Sequence, residues 1–175
     1  MNIQVFKNKL CKKEYKKVLR NVTLGFKNRN IAKDGEAEVF SFGTDRVIRV
    51  AQAERDACSH DSGYHAWISK IVINSKSSVV PKVYFHAIID NKVVTVMEKL
   101  QHNSNVGSVL ANDFCEYRHK FYYQGGQFCD VPKKYYQRLN RIMDKARNVL
   151  YCGDVHSNNI MFRENGEPVL TDPSY

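Results

Sequence analysis

A short polar loop that leads into a hairpin constrains the fold of this chain more than any other feature. Residues 160–163 and 168–171 are predicted to form two antiparallel strands, because the Asn165-Gly166 pair between them is a strong hairpin signal. In such a turn both central residues take positive φ. The hairpin returns the chain to the loop from which it started. We therefore expect Asn159, at the end of the loop, and Asp172, after the second strand, to lie close together.

Asp154 lies at the head of the same loop, five residues before Asn159. Two carboxylates and an amide that converge on one point are what phosphoryl transfer requires. One carboxylate receives or orients the attacking hydroxyl, while the amide oxygen and the second carboxylate hold Mg²⁺ on the nucleotide phosphates. The pattern predicts Asp154 and Asn159 as catalytic residues, and Asn159 and Asp172 as the metal ligands.

A family resemblance rests on this loop. Asp-x-x-x-x-Asn, followed thirteen residues later by Asp, is the spacing of the catalytic loop and the metal aspartate in protein kinases. Residues 153–159 resemble the Gly-Asp-x-His-x-x-Asn form of aminoglycoside phosphotransferases and related bacterial and phage kinases. The ending Thr171-Asp172-Pro173-Ser174 is similar to that of the early serine/threonine protein kinases of T7-like bacteriophages.

The resemblance implies a minimal two-lobed protein-kinase-like fold of the α+β class. Its N-lobe would be an antiparallel sheet, and its C-lobe would be mainly helical and would carry the catalytic-loop hairpin. The chain would be one domain, 1–175, with a basic helical segment at 1–30, the N-lobe at 31–100 and a truncated C-lobe at 101–175.

Residues 38–42 and 46–51 alternate in hydrophobicity and are predicted to form paired strands. Arg49 stands where protein kinases place the strand lysine, so the resemblance implies that it contacts the nucleotide phosphates, with its charged end facing an open cleft. The alternative is a strand arginine that faces solvent or a neighbouring carboxylate. Gly35 lies in the loop before the first strand, which is the candidate for the loop that covers the phosphates. The Gly-x-Gly-x-x-Gly pattern of protein kinases is absent from it.

A second predicted hairpin, with strands at 81–89 and 93–98 around Asp90-Asn91, leads into the position of a kinase hinge. The order of elements places Glu98 and Leu100 there. The resemblance implies that their backbone groups are offered to adenine.

Residues 62–72 have helical spacing, with Trp67 and Ile71 on the buried stripe. In kinases a helix at this place offers a glutamate to the strand lysine. No glutamate lies between Arg55 and Met97 in this chain. That ion pair is therefore either absent or made by an acidic residue at 54, 56 or 61.

The N-terminal residues are rich in lysine and arginine, and residues 9–22 are predicted to form an amphipathic helix. Its basic face is either solvated or a docking surface for an acidic protein or a nucleic acid. Two further helices are predicted, at 109–122 and at 133–150.

The composition is that of a globular protein, with 43% hydrophobic residues and a formal net charge of +9, which attracts anions. Five cysteines, none spaced as Cys-x-x-Cys, predict reduced thiols in a cytoplasm, without disulfides or a zinc site. No apolar run reaches transmembrane length, so no membrane partner is expected.

Three functions remain open from the sequence. The resemblance implies an ATP- and Mg²⁺-dependent serine/threonine protein kinase of phage type, which phosphorylates proteins of its bacterial host, and itself, in the host cytoplasm. A small-molecule phosphotransferase is the second, although this short basic chain lacks an acidic pocket for cationic drugs. The third is a pseudokinase that acts as a binding module, which Arg49 and the missing helix glutamate favour.

Overall fold

The computed structural model describes residues 1–26, 32–33, 37–53, 64–103, 137, 141 and 157–171. The chain divides into two compact units. The first comprises Met1–Ile73 and Lys82–Lys99, and the second comprises Asn74–Pro81 and Leu100–Tyr175. The predicted division into 1–30, 31–100 and 101–175 stays a prediction.

The first unit is built on a six-stranded sheet in which every neighbouring pair is antiparallel, in the order β1-β5-β6-β4-β3-β2. Its strands are β1 (Ile3–Asn8), β2 (Ala32–Lys33), β3 (Ala37–Ser41), β4 (Arg46–Gln52), β5 (Val83–Ile89) and β6 (Lys92–Glu98). Its helices are α1 (Lys12–Leu24) and α2 (Tyr64–Trp67), and a π-helical turn, Ile68–Val72, continues α2. The predicted strand pairs β3–β4 and β5–β6 are confirmed.

The β5–β6 turn shows why these strands pair closely. Asp90 and Asn91 both have positive φ, 46° and 63°. Two central residues of this kind make the turn whose twist matches that of the flanking strands, and Asn and Asp tolerate the left-handed region better than most residues.

Helix α1 covers one face of the sheet. Its predicted amphipathic character is confirmed, because Val18 and Val22 are buried while its lysines lie on the outer side. Each buried valine contributes about 1.5–3 kcal/mol relative to an exposed one. At the start of α1 the Glu14 carboxylate accepts a hydrogen bond from the backbone N–H of Cys11, at 3.0 Å, and also meets the Arg46 guanidinium at 2.6 Å. The core on this face comprises Val18, Val22, Phe40, Phe42, Ile48, Phe85, Ala87, Ile89, Val94 and Val96.

Strand β1 was not predicted. It lies at one edge of the sheet and pairs with β5, with a register shift between Val5 and Lys7. Val5 and Phe6 are among its exposed residues. A mostly exposed edge strand lacks the apolar alternation by which the other strands were recognised.

In the second unit the predicted hairpin is confirmed, with β7 at Ile160–Phe162 and β8 at Pro168–Leu170. The turn type differs from the prediction. Gly166 alone in this turn has positive φ, 79°, and its N–H donates to the Arg163 carbonyl at 2.9 Å. Arg163 N–H in turn donates to the Glu167 carbonyl at 3.0 Å. This is a longer loop that ends on a left-handed glycine, the next most common hairpin connection after the two-residue turn.

Several predictions lie outside the described residues. The predicted helix at 109–122 does so entirely, and at 133–150 the structure describes Gln137 and Arg141, which are helical and exposed. Of the cysteines it describes Cys11, which is exposed and unpaired. Among the described residues no helix is long and apolar enough to cross a membrane.

Candidate active site

Asn159 ends a short 3-10 turn, Ser157–Asn159, and directly precedes β7. Its carbonyl accepts two hydrogen bonds from Thr171, from the backbone N–H at 2.9 Å and from the hydroxyl at 3.2 Å. The hairpin therefore returns the chain to Asn159, as predicted. Asp172, the residue after Thr171, lies outside the described residues, as does Asp154. Their convergence with Asn159 stays a prediction.

The hairpin is tied to segment 74–81 within the second unit. The Arg163 guanidinium donates to the Ser78 carbonyl and, at 3.1 Å, to the Val80 carbonyl. Leu170 N–H donates to the Val79 carbonyl at 2.8 Å. These bonds hold the hairpin from both strands, so the end of the loop at Asn159 has a fixed support.

Sequence reasoning missed Arg163 altogether. Its acceptors are main-chain carbonyls more than 80 residues away, and a main-chain carbonyl produces no residue pattern by which the sequence could identify it. The one available signal was a charged residue that ends an otherwise apolar strand.

Arg49 lies on β4, opposite Val39 on β3 and Thr95 on β6. Only 6% of its surface is exposed, so the expectations that it faces solvent or an open cleft are corrected, while the alternative of a neighbouring carboxylate stays a prediction. The reason is that both faces of β4 are covered. Ile48 packs into the core beneath α1, and Arg49, the next residue, points to the opposite face, where α2 lies.

Tyr64, the first residue of α2, covers Arg49. The guanidinium carbon of Arg49 lies 3.8 Å from the centroid of the Tyr64 ring. The Tyr64 hydroxyl donates to the Met97 sulfur at 3.3 Å, and the ring is only 3% exposed. Sequence reasoning did not single out Tyr64, although its spacing from Trp67 placed it on the buried stripe of the helix.

A polar cluster lies beside this pair on the same side of the sheet. His86 on β5 is fully buried, and its Nδ1 shares a hydrogen bond with the Thr95 hydroxyl at 2.8 Å. Its Nε2 lies 2.8 Å from Nδ1 of His65 and 3.1 Å from the Ser69 hydroxyl. Burial, and then the positive charges of His65 and Arg49, lower the pKa of His86 to about 3. His86 is therefore neutral at ordinary pH.

The two predicted hinge residues fall in different units, Glu98 in the first and Leu100 in the second. Glu98 N–H donates to the Lys82 carbonyl at 3.0 Å, and its carboxylate accepts from Lys82 N–H at 2.8 Å. Gly35 lies outside the described residues, and no group of His, Cys, Asp and Glu among the described residues could hold a metal ion.

Comparison with known proteins gives one family. Residues 62–173, more than half of the chain, match the ecdysteroid kinase-like family, and this stretch includes the loop and the hairpin. No curated protein matches the chain.

Two solved structures are similar to this chain at low identity. Monomeric WbdD has 17% identity and a TM-score of 0.44, over 82% of this chain and 34% of that one. The ternary complex of streptomycin, ATP and APH(2″)-IIa has 14% identity and a TM-score of 0.40, over 93% of this chain and 71% of that one. This chain thus spans about a third of the length of WbdD. On the family match, the chain belongs to the ecdysteroid kinase-like family, and its mixed fold with an antiparallel N-terminal sheet is kinase-like, as predicted.

Proposed function

We propose that this protein transfers the γ-phosphoryl group of ATP to a hydroxyl group and uses Mg²⁺ as its cofactor. The observation that carries the proposal is the family match over residues 62–173, which includes every residue of the predicted catalytic loop. In this proposal Asp154 orients the attacking hydroxyl and accepts its proton.

The donor set fits Mg²⁺. Asn159 supplies an amide oxygen and Asp172 a carboxylate, and oxygen ligands are what this ion prefers. The hydrogen bond from Thr171 to the Asn159 carbonyl, at 2.9 Å, supports their proximity, because Asp172 follows Thr171 directly. The bound ion would neutralise charge on the phosphates.

For the nucleotide we propose Arg49 at the phosphates, Gly35 in the covering loop, the Glu98 carbonyl and the Leu100 N–H at adenine. The place of Arg49 on β4, where protein kinases have the strand lysine, supports its part, since a guanidinium can pair phosphate oxygens.

Two versions of the proposal differ in the molecule that accepts the phosphoryl group. The name of the matching family points to a small-molecule acceptor, and this supports a small-molecule alcohol first. The second version is a phage-type serine/threonine protein kinase acting on host proteins. It rests on the similarity of Thr171-Asp172-Pro173-Ser174 to those kinases.

Incubation of the purified protein with ATP labelled at the γ-phosphate and Mg²⁺ tests the proposal. One reaction contains bacterial proteins and another contains the small-molecule fraction of a cell extract, with Asp154→Asn as the matched control. Labelled small molecules support the first version, and labelled protein bands support the second. If wild type transfers no label in any reaction, the proposal is wrong and the pseudokinase alternative replaces it.

The metal assignment has its own test. Calorimetry of ATP binding should show a dependence on Mg²⁺ in wild type that Asp172→Asn loses, because the phosphate charge is then left uncompensated. Metal-dependent binding that is unchanged in Asp172→Asn contradicts the assignment.

A further inference from the structure

Helix α1 presents a uniformly basic outer face. Its buried side chains, Val18 and Val22, pack into the core of the first unit. Within residues 12–20 every exposed side chain is cationic, and these side chains form the α1 basic face: Lys12, Lys13, Lys16, Lys17 and Arg20. Residues 1–26 carry seven lysine and arginine residues against one acidic residue, which accounts for two-thirds of the net charge of +9. The excess positive charge of the chain is therefore concentrated in the segment that contains this helix.

The one acidic residue of residues 1–26 is engaged elsewhere. The Glu14 carboxylate meets the Arg46 guanidinium at 2.6 Å and accepts a hydrogen bond from the backbone N–H of Cys11 at 3.0 Å. Among the residues that the structure describes, no carboxylate forms an ion pair with the α1 basic face.

The spacing of charges on this face is unfavourable for the helix by itself. Two basic residues lie four positions apart three times, at 12 and 16, at 16 and 20, and at 13 and 17. Like charges at this spacing repel each other and destabilise a helix. A face that has only to remain soluble can mix acidic and basic side chains and avoid this repulsion. The three repulsive pairs therefore indicate a face that is used to contact an anion.

The types of side chain on the face distinguish between possible anionic partners. Interfaces between proteins are depleted of lysine and depend on buried aromatic or apolar anchors, whereas no exposed residue within 12–20 is apolar. A helix that lies in a membrane surface inserts its apolar face, and the apolar face of α1 is already covered by the protein core.

Nucleic acids differ in the same way. Single strands are bound by aromatic side chains on which the bases stack, and RNA duplexes are recognised in part through their 2′-hydroxyl groups. The phosphates of duplex DNA, by contrast, can be bound by lysine and arginine alone, without regard to base sequence. Of these partners, duplex DNA fits a face of lysine and arginine best.

We propose that the α1 basic face binds the phosphate backbone of duplex DNA without sequence preference. Residues 12–20 extend about 12 Å along the helix axis, and duplex DNA carries one negative charge per about 1.7 Å of its length. Several side chains of the face can therefore contact phosphates at the same time. None of these residues belongs to the proposed phosphoryl-transfer site.

Fluorescence anisotropy with a labelled DNA duplex of about 20 bp and mixed sequence tests this role. About four phosphate contacts predict that the Kd for the duplex rises on the order of 100-fold between about 50 mM and about 200 mM monovalent salt. Lys12→Ala/Lys16→Ala should raise the Kd at about 50 mM salt by about tenfold or more. The same variant should reduce the slope of log Kd against log salt by about two, because two contacts are lost.

The matched control is Lys70→Ala/Lys76→Ala, which removes the same charge from two exposed positions outside α1. Its Kd for the duplex should stay within about twofold of wild type. Lys12 and Lys16 are exposed and alanine is the strongest helix former, so the α1 variant should fold. Lys12→Gln/Lys16→Gln is a second variant that removes the two charges and should weaken binding to the same extent.

Competition experiments identify the partner. Unlabelled single-stranded DNA of equal length, an RNA duplex, polyglutamate and vesicles that contain phosphatidylserine should each displace the labelled duplex less effectively than unlabelled duplex DNA does. A competitor that displaces it as well as or better than duplex DNA overturns the assignment to duplex DNA. A wild-type protein that does not bind the duplex at about 50 mM salt overturns the proposal, as do α1 variants that bind it like wild type.

Discussion

Arg49 and Arg163 are both largely buried arginines, one in each unit of the chain, yet their surroundings differ. Arg163 donates to the carbonyls of Ser78 and Val80 and lies 3.4 Å from the Glu167 carboxylate. Arg49 lies against the ring of Tyr64. The guanidinium of Arg163 bonds main-chain carbonyls and fixes a hairpin, whereas that of Arg49 packs on an aromatic ring within the sheet unit. We therefore expect a structural role for Arg163, and the proposed function gives Arg49 a binding role.

The largest effect on stability is expected from Arg163→Ala. The Ser78 and Val80 carbonyls would lose their donor, and each buried acceptor left unsatisfied costs about 1–3 kcal/mol. We expect the free energy of unfolding to fall by about 2–4 kcal/mol, measured by denaturant titration. Arg163→Lys keeps the charge but cannot bridge both carbonyls, so its free energy of unfolding should lie between those of wild type and Arg163→Ala. A loss below about 0.5 kcal/mol in Arg163→Ala, as for an ordinary surface change, would contradict the structural role.

Arg49→Ala should have its main effect on ATP affinity, whereas Arg163→Ala should have its main effect on stability. We expect the Kd for ATP to rise about 10- to 100-fold, since a charge-assisted contact with phosphate is lost. Arg49→Lys should keep part of the affinity, because an ammonium still attracts phosphate as a point charge.

The measurement for both Arg49 variants is calorimetry at matched thermal stability. Since Arg49 is buried, Arg49→Ala should also lose some stability, and ATP affinity must be compared at a temperature where both proteins are folded. Equal affinity in wild type and Arg49→Ala would remove Arg49 from the site and end the contrast with Arg163.

The neutral His86 beside Arg49 predicts a dependence of stability on pH. Because its folded pKa, about 3, is below the unfolded value near 6.5, the unfolded state binds the extra proton as the pH falls. Stability is fully present above pH 6.5 and declines below it, by about 2 kcal/mol between pH 7 and pH 5. Denaturant titrations at the two values measure this decline, and His86→Gln should flatten it. An equal decline in wild type and His86→Gln would assign it to another group.

The smallest effect is expected from the turns of the two confirmed hairpins. Gly166 has a φ of 79°, and an added Cβ would meet no atom within 4 Å, so Gly166→Ala tests backbone strain alone. We expect a loss of about 1 kcal/mol in the free energy of unfolding. Asn91→Gly, at a φ of 63°, is the opposite change and should be close to neutral. Equal effects of the two substitutions would contradict the turn geometry.

Much of the sheet could be predicted from the sequence, because β3 to β6 have apolar patterns that their burial requires. The Asp90-Asn91 turn was equally visible, and the Asn165-Gly166 pair located its hairpin while leaving the turn type wrong. The π-helical turn after Trp67 was not visible. It places Ile68 and Val72 in the core and leaves Ile71 half-buried, where regular helical spacing had placed Ile71 inside.

The candidate site was predictable where it depends on local spacing and not where it depends on packing. Asn159 and its return contact with Thr171 follow from a loop and a hairpin that are continuous in sequence. The burial of Arg49 depends on where helix α2 lies on the sheet, and that follows from contacts such as the one between Tyr64 and Met97. No local pattern records such contacts.

Phosphoryl transfer by Asp154→Asn tests the central claim most directly. Wild type and variant are compared for transfer of labelled γ-phosphate, with ATP affinity measured by calorimetry in parallel. The account predicts that Asp154→Asn binds ATP with the affinity of wild type and transfers phosphate about 10²- to 10⁴-fold more slowly, the scale of a lost positioned base. Transfer at the wild-type rate would show that this loop is not the catalytic loop of a phosphotransferase.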